Sequence, residues 1–219
     1  MPEEKRSVHK SKDTDAIYRH VLSKIRRLEA SDPSEAKAEL ALLRRGVGKS
    51  LQNVPEVWGM ILEDLPENLI GMKEGPSPVE EAIFLSLTLY GLAMQGRDVK
   101  NDSAQSEKIS LGGAAGLYTK KVGEDNSRIL PRFQKVIVSE NPAAMSVPLR
   151  SVIQLLKQEK INLDFAKLAQ DLFYYSFPKS REVVRMRWAR DYYRNVRPSK
   201  AQENRAETPD AGKKATADN

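Results

Sequence analysis

The sequence predicts an all-α protein, and three observations carry that expectation. Apolar residues recur three or four positions apart in one segment after another, which is the period of a helix with one buried face. Residues that cap helices stand just ahead of those segments, and Gly or Pro stands just behind them. Only the short "KVIVS" alternates apolar and polar residues at the period of a strand. The expected architecture is a two-lobed bundle of about eight or nine helices with disordered termini. A flexible basic arm (1–12) leads into an N-terminal lobe (13–97). A loop or linker (98–109) joins it to a C-terminal lobe (110–197), and a disordered tail (198–219) closes the chain.

The arm is polar and carries Lys5, Arg6, Lys10 and Lys12. The first helix is expected to begin near Asp13 or Thr14, with Ile17, Val21, Ile25 and Leu28 as its apolar stripe and Arg26 and Arg27 beside it. A second starts at Ser31 or Asp32, where Pro33 suits a first turn and Glu35 completes the spacing of a capping box. Leu40 and Leu43 give its apolar side, and Gly46 is the expected stop. Pro55 opens a short helix containing Trp58, Ile61 and Leu62. From Pro78 to about Gln95 the residues are apolar on nearly every side, as in a helix buried among others.

"GRDVKNDSAQSEK" is rich in turn formers and reads as a long surface loop or a linker. Ser110 then caps "SLGGAAGLYTKKVG", whose small residues permit close helix packing. In "NSRILPRFQKVIVS", Pro131 either kinks the helix or sits in its first turn. Leu149, Ile153 and Leu156 mark one face of the next helix, and Phe165, Leu168, Leu172 and Tyr175 one face of its successor. The last helix, "SREVVRMRWARDYYRNV", stops before Pro198, and the tail beyond it has almost no large apolar residue.

With 219 residues, 40% of them hydrophobic, the chain can bury a substantial core. The formal charge is +6 and the pI about 9.4, which favours an anionic partner such as nucleic acid; a soluble protein that is merely basic is the alternative. There is no cysteine, which excludes disulfides, thiolate metal sites and a cysteine nucleophile and fits a cytoplasmic location. The start of the chain lacks the apolar core of a signal peptide. The longest apolar run, "AIFLSLTLYGLAM", has 13 residues, too few for a membrane span.

"LLRRGVGKS" at 42–50 ends like the phosphate-cradling loop of nucleotide hydrolases. That loop requires a glycine five positions before Gly48, where Leu43 stands, and a preceding strand, where a capped helix is expected. Phosphate recognition of another kind is suggested by the last helix. At 100° per residue, Arg187, Arg190, Arg194 and Arg197 fall within an arc of about 80°, opposite Val184, Trp188 and Tyr192. Guanidinium groups donate paired hydrogen bonds to phosphate, and Asp191 lies within reach of Arg187 and Arg194. The other reading is a charged stripe that only solvates a surface helix. Arg181 and Arg185 point toward the apolar side and are expected in internal or inter-lobe ion pairs.

Arg26, Arg27, Arg44, Arg45, Lys49, Lys120, Lys121, Arg128, Arg132 and Arg150 are further cations able to extend a basic track. Trp188 and Tyr192 read as core; Tyr193 stands open between core and base stacking. The histidines are His9 and His20 alone, and Glu80, Glu81, Asp98 and Asp102 lie at element ends without a histidine, so neither a catalytic nor a metal site is expected, and no cofactor. Glu80 and Glu81 suit a helix N-terminus instead.

Three features, in order along the chain, resemble the CasB family, the small subunit of the type I-E CRISPR Cascade surveillance complex. They are "ALLRRGVGKS" followed by Trp58, "EEAIFLSLTLYGLAMQ" ahead of "SLGGAAGLY", and "LDFAKLAQDLFYYSFP" leading to "VRMRWARDYYR". The resemblance spans roughly residues 14–197. It implies two helical lobes without enzymatic activity, present as two copies in the complex. It also implies contacts with the backbone subunits that carry CRISPR RNA and with the large subunit, and basic surfaces that steady the RNA–DNA hybrid and the displaced DNA strand. Arg44, Arg45 and the arginines of the closing helix are the residues to which that role carries over. Two rivals remain at this point: a spacer whose basic face binds only neighbouring proteins, and a nucleotide hydrolase using Lys49.

Overall fold

The computed structural model describes the backbone of residues 3–124 and 127–196, with side chains from residue 13 onward. The described residues contain nine α-helices: α1 (Glu3–Ala30), α2 (Pro33–Arg45), α3 (Trp58–Leu62), α4 (Pro78–Ala93), α5 (Leu111–Val122), α6 (Ile129–Val138), α7 (Pro142–Gln158), α8 (Phe165–Tyr175) and α9 (Pro178–Val196). The expected all-α bundle is what the chain forms, and "KVIVS" lies in the end of α6 rather than in a strand. α1 begins well before the cap expected at Asp13 or Thr14. Residues 3–13 contain neither Gly nor Pro to interrupt a helix. The tail expected to be disordered lies outside the described residues.

Local signals set most boundaries. Asp32 caps α2, its carboxylate accepting from the Ser34 amide at 2.8 Å. Ser77 and Glu80 form a reciprocal capping box at the start of α4, and Glu80 also accepts from the Gly71 amide at 2.8 Å. Ser110, Asn141 and Asp164 cap α5, α7 and α8 in the same way. Pro131 sits in the first turn of α6. Gly46 does follow α2, but with an ordinary right-handed backbone; a Cβ there would collide with Thr88 and Phe84 of α4. Gly48 supplies the left-handed turn, at φ +82°.

Helix α4 is the axis of the core. Every residue from Ala82 to Ala93 is buried, and α1, α2, α3, α7 and α8 all pack against it. Two of its buried hydroxyls are bonded, Ser86 donating to the Phe165 carbonyl of α8 at 2.6 Å and Thr88 to the Leu85 carbonyl at 3.0 Å. The buried apolar side chains form one continuous cluster, from Ile17 in α1 to Tyr192 in α9. Segment 98–109 is stitched onto the start of α8. The Ser106 amide donates to the Leu163 carbonyl at 3.0 Å, the Leu163 amide to the Ala104 carbonyl at 3.1 Å, and the Asp164 amide to the Ile109 carbonyl at 2.9 Å. Asp164 also accepts from Gln105 and from the Lys108 amide.

α5 and α9 lie side by side and run in the same direction, Gly112 against the Trp188 carbonyl and Gly116 against that of Tyr192. Thr119 continues the seam, hydrogen-bonding Tyr192 at 3.1 Å. This contact carries the C-terminal ends of both helices to one end of the bundle.

His20, on the buried side of α1, donates from Nε2 to the Ile61 carbonyl at 3.0 Å. Burial, and then the neighbouring Lys24 ammonium, hold its pKa below the ordinary value of 6.5. Below that value the unfolded chain takes up a proton that the folded one resists, so stability is complete above it and is lost as pH falls. Tm is therefore expected to drop between neutral pH and pH about 5. His20→Gln, whose amide can still donate to Ile61, is expected to flatten that dependence; an equally steep fall in the variant would assign it elsewhere.

Candidate nucleic-acid interface

Positive charge is concentrated in a cleft of about 600 Å³ between α2 and the turn that follows α4. Lys37 and Arg44 line it from α2, and Arg97 and Lys100 from the turn. Asp98 is the one carboxylate among the lining residues, and the amides of Lys100 and Asn101 occupy it at 3.0 and 2.8 Å. Arg97 is buried behind the cleft wall, its Nη1 donating to Asn162 at 2.7 Å with Asp102 3.7 Å away. Lys157 reaches the margin through Gln95, at 3.0 Å. Apolar Leu40 and Met94 form part of the wall, so charges near it are screened less than on an open surface.

Arg44 is the only cation lining this cleft among the candidate binding residues read from the sequence. Lys37, Arg97, Lys100 and Lys157 stand in different segments without a shared motif, and the packing of α2 on α4 assembles them. Arg45, the last residue of α2, and Lys49, four residues further on, are both exposed. Lys49 lines a separate hollow with Glu81, Phe84 and Pro142. No strand precedes Gly48-Lys49-Ser50, so "LLRRGVGKS" is the exit of a helix and not the phosphate loop of a nucleotide hydrolase.

The remaining cations separate into several surroundings. Lys120, Lys121, Arg128, Arg132 and Arg194 gather where α5 and α9 end and α6 begins, because Thr119 hydrogen-bonds both Tyr192 and Ser127. Lys121 is paired with Glu159 at 3.1 Å, Arg132 donates to the Arg128 carbonyl at 2.6 Å, and Arg194 is paired with Asp191 at 2.9 Å. Arg150 is exposed on α7, with no described contact joining it to either group. Arg26 pairs with Glu107 at 3.6 Å, and Arg27 with Glu63 at 3.2 Å and Glu39 at 3.6 Å.

The arginine stripe of α9 is not uniform. Arg187 turns inward to Asp171, a carboxylate only 1% exposed that also accepts from Trp188 Nε1 at 2.7 Å and pairs with Lys167 at 3.3 Å. Burial pushes the Asp171 carboxyl above the usual carboxylate range, while Lys167, Arg187 and the Trp188 hydrogen bond pull it back. Arg190 and Arg194 are exposed, and Arg197 lies outside the described residues. Trp188 and Tyr192 are core, as expected, and Tyr193 is 58% exposed. Arg181 and Arg185 do face inward, but toward the Tyr175 ring rather than a carboxylate. Arg185 donates to the Tyr175 hydroxyl and the Ser139 carbonyl, both at 2.8 Å.

Among the described residues no group of three His, Cys, Asp or Glu side chains is placed to hold a metal ion. No described helix is long and apolar enough to cross a membrane. The class these features define is a helical-bundle protein whose basic surface is assembled from separate segments.

Comparison with known proteins makes the class specific. Residues 39–193, more than half of the chain, match the family model of CRISPR-associated protein Cse2, so the chain belongs to the Cse2/CasB family of the type I-E Cascade. The crystal structure of CasB from Thermobifida fusca is similar at 27% identity, covering 83% of this chain and 97% of that one with a TM-score of 0.64. CasB from M. ruber shares the fold at 23% identity, with 86% and 98% coverage and a TM-score of 0.60. A Cse2-family protein from Thermus thermophilus shares it at 21% identity, with 80% and 97% coverage and a TM-score of 0.59. No curated protein sequence matches the chain. Family membership makes it a Cascade subunit, a component that acts in company with other subunits.

Proposed function

We propose that this chain is a non-catalytic, cytoplasmic small subunit of Cascade that holds nucleic-acid backbone on its basic surface. It thereby steadies the hybrid of CRISPR RNA with target DNA, and the displaced strand, during antiviral defence. The observation that carries this reading is the cleft of Lys37, Arg44, Arg97 and Lys100, whose one lining carboxylate is occupied by backbone amides. Arg45 and Lys49 add exposed charge at the exit of α2. An RNA–DNA hybrid is about as stable as the DNA duplex it replaces, so modest backbone contacts are enough to tip the exchange. The neighbours in this reading are the backbone subunits, the large subunit and a second copy of the chain.

Three phosphate contacts to a single strand, from Lys37, Arg44 and Lys100, give a slope near −2 in a plot of log affinity against log salt, each contact contributing about 0.7. Purified protein is expected to show about that slope with single-stranded DNA and little sequence preference. Changing Lys37, Arg44 and Lys100 together to alanine is expected to make the slope shallower by about 2. Equal slopes for the two proteins would remove the cleft from the interface. Absence of binding by both would favour a spacer that meets only proteins.

A further inference from the structure

A groove of about 510 Å³ opens where α5 and α9 end and α6 begins. That volume lies within the range of about 300–1,000 Å³ usual for a bound ligand. Pro131, Val196 and Tyr193 form its apolar side. Tyr193 is 58% exposed, and its ring stands at 90° to that of Tyr192 with 5.1 Å between centroids. Ser127, with Thr119 and Tyr192, which are both only 3% exposed, brings hydroxyl groups to the deep side. Each hydroxyl carries one hydrogen to donate. Thr119 bonds Ser127 at 2.9 Å and Tyr192 at 3.1 Å, so three hydroxyls make two hydrogen bonds and one O–H is left for an occupant.

We infer that this groove seats one unpaired base of a single-stranded nucleic acid, stacked on Tyr193 with its polar edge toward the deep hydroxyls. Every base offers a π-face to the tyrosine and hydrogen-bonding groups to the hydroxyls, so the groove needs no particular sequence. An aliphatic side chain would leave the spare O–H unmet. The chain's own continuation beyond Val196 has no aromatic residue and no Val, Leu, Ile or Met with which to fill an apolar groove. Charge favours a polyanion over a second copy of a chain carrying +6. Lys120, Lys121, Arg128, Arg132 and Arg194 surround the groove, and of the acids near it Glu159 and Asp191 are paired with Lys121 and Arg194. Glu124, the one carboxylate among the lining residues, keeps phosphate out of the groove itself and suits it to an uncharged base. The end of α7 links the groove to the α2 cleft, because Lys157 donates to Gln95 at the cleft margin while the Glu159 carbonyl accepts from Lys121 at 2.6 Å. The inference rests on the proposed nucleic-acid reading and adds to it a place for a base.

The test is the affinity of the full chain for oligothymidylate and for a strand of abasic sites of the same length, with wild type, Tyr193→Ala and Tyr193→Phe. Tyr193→Ala is expected to bind oligothymidylate about tenfold more weakly, with an unchanged salt slope and an unchanged Tm. Tyr193→Phe keeps the ring and is expected to bind like wild type. The abasic strand is expected to bind wild type about as weakly as oligothymidylate binds Tyr193→Ala, and to be indifferent to either substitution. Equal binding of the two strands by wild type, with a salt slope, would overturn the inference and leave the nucleic-acid reading standing. So would a Tyr193→Ala loss of the same size on both strands. Absence of binding to either strand would overturn the reading and the inference together. Reduced incorporation of Tyr193→Ala into Cascade with unchanged oligothymidylate binding would give the groove to a neighbouring protein and overturn the inference.

Discussion

Gly112→Ala is expected to destabilise the protein by about 3 kcal/mol, the upper end of the range for overpacking a rigid contact. A Cβ at Gly112 would lie inside the van der Waals shell of the Trp188 carbonyl, carbon and Cα, all backbone atoms with no rotamer to relieve the clash. Relief requires α5 and α9 to move apart, which opens the seam that buries Trp188 and Tyr192 and displaces the Thr119–Tyr192 hydrogen bond. For a chain of this length that loss corresponds to a Tm lowered by about 6–12 °C. Gly59→Ala is the control, because a Cβ there meets nothing within 4 Å. A Gly112→Ala protein that melts like wild type would show that the seam is looser than described.

Asp171→Ala is expected to cost about 3 kcal/mol, the lower end for removing one partner of a buried charge pair. The Trp188 indole N–H would be left buried without an acceptor, and Arg187 and Lys167 would lose their shared carboxylate. The two cations are 35% and 33% exposed, so both can recover water, which keeps the cost at that lower end. Arg187→Ala should cost less, because Asp171 keeps Trp188 and Lys167. Its mark is a lowered Tm with the salt slope of DNA binding unchanged. A slope shallower by about 0.7 with unchanged Tm would instead make Arg187 a phosphate contact.

This cluster decides how the basic surface is to be tested. A variant with Arg187, Arg190 and Arg194 all changed to alanine would combine a structural loss with changes at the outer face of α9 and at the Asp191 pair. The α2 cleft offers a cleaner target, since Lys37, Arg44 and Lys100 stand at its rim while Arg97, with side chain 4% exposed, is best left in place.

Where short-range chemistry sets the outcome, the sequence was sufficient. The caps at Asp32 and Ser110, the all-round apolar run of α4, and the core roles of Trp188 and Tyr192 each depend on residues within a turn or two of one another. The start of α1 was not legible, because a polar stretch without Gly or Pro is compatible with either helix or arm. Gly46 was expected as a backbone stop and proved to be a place where α2 approaches α4.

By itself, then, the sequence determined that the chain is helical, that its surface is basic, and that its motifs resemble CasB, all of which reside in composition and local spacing. Only the tertiary structure decided which cations act together and which are held elsewhere. Lys37, Arg44, Arg97 and Lys100 meet because α2 packs on α4, and Arg187 is turned inward because α8 presents a buried carboxylate to it. Charges along one helix fix what it is able to offer, but neighbouring helices supply the counter-ions that decide what remains exposed to a partner.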